Sequence, residues 1–209
     1  MLCMVPMVAA IGLPGYAREG AGLPDAITIY TQFAHPPSAQ AVAYMKTELD
    51  AIMAAPDLHF DWHSLDEVNG HEVMAELVVV RFEGACQPDS LPFLDATRGP
   101  LGWTQVSNGE ILPFLDVDCD RIRQLLNTTF ARAVPAERLR LMGRAMARVM
   151  AHELYHFLTK TTKHSSSGVA KASYSAADLT SAYLRFEEAE LDLVREGRLH
   201  AGEMQYDTR

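Results

Sequence analysis

The stretch Val149-Met150-Ala151-His152-Glu153-Leu154-Tyr155-His156-Phe157-Leu158 decides how this chain is read. Apart from His152, Glu153 and His156 it is uncharged. It continues an apolar pattern at helical spacing through Leu139, Met142, Met146, Val149 and Met150. On a helix, residues four apart share a face with Cβ atoms about 5–6 Å from one another. Two imidazoles so placed can converge on one ion at about 2.0–2.1 Å each, the distance zinc takes from nitrogen. Glu153 is turned away from the histidine pair yet can reach a water at that ion. A metal lowers the pKa of such a water towards about 7, and a nearby carboxylate can take its proton and pass it to a leaving amine. With 8 His and 14 Glu in 209 residues, random placement yields about 0.02 such pentapeptides, so accident is a poor explanation.

Working outward, Pro135 suits the first turn of this helix, which the pattern carries to about Thr161. Upstream, Ile27–Phe33 alternates and is β-branched, and reads as a strand. Ser38 can cap a helix to about Ala55, with Val42, Met45, Leu49, Ile52 and Met53 inward. Leu58–Leu65 and Glu76–Glu83 read as strands, the second as buried and central because of its valine run. Residues 84–100 form a loop. Trp103–Val106 and Ile111–Val117 flank Ser107-Asn108-Gly109-Glu110, a hairpin signal. Cys119–Phe130 is a short helix with Ile122, Leu125 and Leu126 on one side. Residues 162–174 form a loop, and Ser175 with Asp178 resembles a capping box. It opens a last helix to about Arg195, with Leu179, Tyr183, Phe186 and Leu193 inward. The order implies one α/β or α+β domain.

The net charge of -9 leaves no broad basic footprint for nucleic acid or anionic lipid. Arg138, Arg140, Arg144 and Arg148 fall at helical spacing and read as a solvated helix face. The apolar run Leu2–Leu13 is too short to span a bilayer. With Gly15 and Ala17 ahead of Arg18 it reads as a secretory signal peptide, residues 1–17, leaving a domain of 18–209 that is secreted or periplasmic. Cys86 and Cys119 remain as an even pair, either bridged or as two buried thiols. His59 and His63, on a strand, spread along a face; His71-Glu72 lacks a second histidine; His35 and His200 fall in loop or tail. Asp116, Asp118 and Asp120 read as a solvated strand edge or helix cap rather than a calcium site.

The motif with its flanks, VMAHELYHFL, resembles the active-site helix of zincin metallopeptidases, and the strand–helix–strand–strand–hairpin order before it is similar to the N-terminal half of the metzincin branch. The resemblance implies a mixed sheet with an active-site helix and a C-terminal helix. It also implies one catalytic Zn²⁺ on three protein ligands, and a peptide or protein substrate cleaved with Glu153 as general base. In metzincins the pattern continues HExxHxxGxxH. Here Thr159 holds the glycine position and Thr162 the ligand position, a departure from the family. His164, eight residues past His156 in a Ser- and Gly-rich loop, is the favoured third ligand; Asp178, Glu187 and Glu188 are the competitors. The family's methionine turn has no Met here: Ala170 falls near its place, and Tyr174 follows. The expected function is an exported zinc metalloendopeptidase. The alternatives are a zinc hydrolase of non-protein amides and a non-catalytic binding protein of the same fold.

Overall fold

A computed structural model describes residues 26–68, 70, 76–89 and 99–206, with 199–206 by backbone course only. The signal-peptide reading of 1–17, Cys3, His71-Glu72 and the side chain of His200 therefore lie outside the described residues.

Strand β1 (Ile27–Phe33) leads into helix α1 (Ala39–Met53), whose first turn is capped by the Ser38 hydroxyl accepting from Ala41 N. Met45, Leu49, Ile52 and Met53 face inward as the spacing requires, and Ala41 is buried where Val42 is only half-buried. Strands β2 (Phe60–Ser64) and β3 (Leu77–Glu83) follow. Then come the hairpin strands β4 (Gly102–Ser107) and β5 (Glu110–Asp118). Asn108 and Gly109 both take positive φ, 53° and 83°, the turn whose twist suits a two-residue hairpin.

The five strands lie in the order β2-β1-β3-β5-β4. The first three pairings are parallel and β4 runs antiparallel on the edge. The valine run of β3 is central and buried, as its composition implies. Asp118 ends β5 and caps α2 (Cys119–Arg132) by accepting from Arg121 N. Cys86 and Cys119 are disulfide-bonded, tying the chain after β3 to the start of α2.

Helix α3 (Pro135–Thr159) carries the central motif. From Leu141 to Leu158 it is buried on nearly all sides, packed against α1, the hairpin and the C-terminal helix. Two expectations fail here. Arg144 and Arg148 are not solvated: Arg148 is 0% exposed, its Nε and Nη2 donating to Glu48 Oε1 at 2.9 and 2.7 Å. The last helix is also two helices, α4 (Ala176–Thr180) and α5 (Glu188–Tyr206). The chain leaves α4 because the carbonyls of Asp178, Thr180 and Ser181 accept from Arg148 and Arg144, so remote guanidinium groups satisfy a break that no Pro or Gly marks. Leu179 and Phe186 are buried as expected, but Tyr183 and Leu193 are 75% and 44% exposed, Leu191 and Val194 packing in their stead.

Candidate metal centre

His152 and His156 project from one face of α3, and His164 comes from the loop beyond it. His156 Nε2 lies 3.1 Å from His152 Nε2 and 3.2 Å from His164 Nε2. All three ligand atoms are within 4.8 Å of one another. The loop itself fixes the two helix rings: His152 Nδ1 is 2.9 Å from Val169 O and His156 Nδ1 is 2.7 Å from Thr161 O. A carbonyl can only accept, so each Nδ1 carries the proton and, in a neutral ring, each Nε2 presents a lone pair. Burial, followed by the neighbouring His156 and His164, pulls His152 down to about 4 despite the Val169 carbonyl; burial likewise lowers His156. Burial thus favours the neutral form of the two helix rings, whose Nε2 atoms face one another and His164 Nε2. Two nitrogens at 2.0–2.1 Å from a tetrahedral ion lie about 3.3–3.4 Å apart, close to the separations seen. The donor set and its orientation fit a zinc ion.

The chain reaches this geometry without the glycine of the family pattern. Helix α3 ends at Thr159, and Lys160 makes the turn in left-handed conformation, φ 49°. For a residue with a Cβ this costs about 1–2 kcal/mol. The Lys160 ammonium then lies over the Phe157 ring at 3.9 Å, a cation–π contact that offsets part of that cost. The loop closes on itself through Ser165 N donating to Ala170 O at 2.8 Å, and this returns His164 to the centre.

Glu153 is 5% exposed, and its Oε2 accepts from the Thr104 hydroxyl at 2.8 Å. Burial pushes its carboxyl up to about 7 against the opposing bond from Thr104. Thr104 stands on edge strand β4, so the strand flanking the centre also orients the carboxylate. Gly102, at the start of β4, sits so close to α3 that a Cβ there would lie 3.2 Å from Glu153 Oε1. Neither Thr104 nor Gly102 has a signal in the sequence, because their roles depend on β4 crossing α3. A cleft of about 860 Å³ opens over the three histidines and Glu153, walled by Leu101, Val106, Ile111, Leu125 and Val149.

The rival ligands lie elsewhere. Asp178 makes its capping box with Ser175 and pairs with Lys171 Nζ at 2.6 Å. Glu187 and Glu188 are exposed at the start of α5. Asp116 is neither on a solvated edge nor beside a cation site: it is 0% exposed and accepts from Arg81 Nε and Nη2 at 2.8 and 3.0 Å. Asp118 caps α2, and Asp120 pairs with Arg123. His59 and His63 face Asp57 and Asp61 at the surface. Tyr174 does reach the centre: its ring lies 5.6 Å from that of His152 and its hydroxyl donates to Val169 O. Burial, then Glu190, raises its pKa above the usual phenol range.

These features define a three-histidine centre beside a buried carboxylate, set in a cleft under an edge strand. No protein-family model and no curated protein matches the chain. Among solved structures it is similar to archaemetzincin from Methanopyrus kandleri, at 11% identity and a TM-score of 0.48, over 87% of this chain and 98% of that one.

Proposed function

We propose that the protein is an exported zinc metalloendopeptidase in which His152, His156 and His164 hold one Zn²⁺ and Glu153 is the general base. The observation that carries this reading is the convergence of three Nε2 atoms, those of His152 and His164 lying 3.1 and 3.2 Å from His156 Nε2, with the Nδ1 atoms of the two helix histidines committed to carbonyls. Zinc, when bound, supplies a Lewis acid that acidifies water and polarises a carbonyl. Glu153 takes the proton of the attacking water and returns it to the amine nitrogen as the C–N bond breaks. Its pKa of about 7 suits a group that must do both near neutral pH. Thr104 holds the carboxylate towards the cleft. An extended peptide pairs with the free edge of β4, which among the described strands is bonded to β5 alone, and its side chains enter the apolar cleft.

Export is supported by the Cys86–Cys119 disulfide, a bond at home in oxidising compartments. Among the described residues, no helix is long and apolar enough to cross a membrane.

The test is metal analysis with a peptide-library digest. The purified chain is expected to hold about one zinc, and Glu153→Gln to keep the zinc while losing cleavage. Cleavage retained by Glu153→Gln, or a wild-type chain that binds no zinc, overturns the reading.

A further inference from the structure

The run Glu187-Glu188-Ala189-Glu190 opens α5, and three of its residues are exposed; Glu190 is 2% exposed. Its Oε1 accepts from Ala170 N at 3.3 Å, and its Oε2 accepts from Glu187 N at 3.0 Å. The second bond is ordinary helix capping. The first is not, because Ala170 N belongs to the same peptide group as Val169 O. Val169 and Ala170 are both 0% exposed, and Val169 O is the acceptor for His152 Nδ1 at 2.9 Å and for the Tyr174 hydroxyl. In a trans peptide the N–H and C=O point in opposite directions. Carboxylate, peptide group and imidazole therefore lie in one line of hydrogen bonds ending at a nitrogen of the metal centre.

We propose that Glu190 is a positioning residue for the centre, acting on His152 through the Val169–Ala170 peptide group. This rests on the three-histidine reading above. A carboxylate bonded to a peptide N–H draws electron density towards the carbonyl oxygen, and bonds in such a chain strengthen one another by about 10–30%. The carbonyl then holds the Nδ1–H of His152 more firmly, fixes its tautomer and makes Nε2 a better ligand. Metal-binding histidines commonly bond a carboxylate directly for this purpose; here a buried peptide unit is interposed. The arrangement also accounts for the burial of a carboxylate in the first turn of α5, where a capping role alone would leave it at the surface.

The experiment uses the full metal-free chain, zinc alone as the probe, and nitrogen-15 histidine NMR of the zinc-loaded protein. Glu190→Gln, which leaves a single acceptor oxygen, is expected to weaken zinc binding about tenfold. It should also move the His152 Nδ1–H resonance while that of His156, bonded to Thr161 O, stays in place. Glu190→Asp keeps the charge but retracts it, and should fall between; it substitutes for Glu190→Gln if that variant does not fold. Unchanged affinity with an unmoved His152 resonance overturns the proposal. Equal movement of both resonances overturns it too, since that would mean general loosening of the loop. A wild-type chain that binds no zinc removes the three-histidine reading, and this inference with it.

Discussion

Replacing Gly102 with alanine tests the contact that lets β4 lie against the motif helix. A Cβ at this position would meet Val149 Cγ1 at 2.6 Å, Asp116 O at 2.8 Å and Glu153 Oε1 at 3.2 Å. The valine cannot turn aside easily, because β-branched side chains keep one rotamer on a helix. The Asp116 carbonyl is backbone of the neighbouring strand. The start of β4 must therefore move, and overpacking of this kind costs about 1–3 kcal/mol. Alanine recovers about 0.4–1 kcal/mol by restricting the unfolded chain, which leaves a net loss of about 1–2 kcal/mol. Urea unfolding of the metal-free protein should show a lower midpoint at an unchanged slope. Gly102→Ala combined with Val149→Ala should be more stable than the two single changes sum to, by about 1 kcal/mol, because truncating the valine relieves the first contact. A Gly102→Ala variant as stable as the parent, or a strictly additive pair, would refute the close approach.

Two further outcomes are expected. Replacing both Cys86 and Cys119 with serine releases a loop spanning a separation of 33 residues and should lower stability by about 3–4 kcal/mol on the chain-entropy argument; a loss under about 1 kcal/mol in guanidinium unfolding would contradict it. Burial opposes ionisation of Asp178, but the bonds from Lys171 and Ser175 outweigh it and hold the carboxyl at about 2. A depressed folded-state value contributes stability above the unfolded value of 3.8 that is lost as pH falls towards 2. Asp178→Asn should therefore be less stable than the parent at pH 6 and converge with it near pH 2, as followed by thermal melts; parallel curves would show that the pairing is not worth what the geometry implies.

The parts of this fold that could be read in advance are those set by local periodicity. The α3 stripe, the valine run of β3 and the Asn108-Gly109 turn each express a rule spanning a few residues, and each appears where it was expected. The break between α4 and α5 does not, because it is made by Arg144 and Arg148, more than 30 residues away in sequence. Helical spacing marks those arginines as a solvent-facing row for the same reason: it reveals a face but not what covers it. Glu190 was hidden likewise within an acidic run whose other members are exposed.

The centre divides along the same line. His152 and His156 need only one turn of helix to meet, so five residues specify them. His164 needs the loop to turn at Lys160 and close at Ser165, and the loop does so with its own groups rather than with a glycine. The Thr161 and Val169 carbonyls that shape the loop are the ones that take the Nδ1 protons of the helix pair. Backbone conformation and imidazole orientation are thus satisfied by the same hydrogen bonds. A loop that folds this way can bring in a third imidazole at a spacing of eight residues instead of six, because the turn at Lys160 and the closure at Ser165, and not the count of residues, set the course of the chain that carries it.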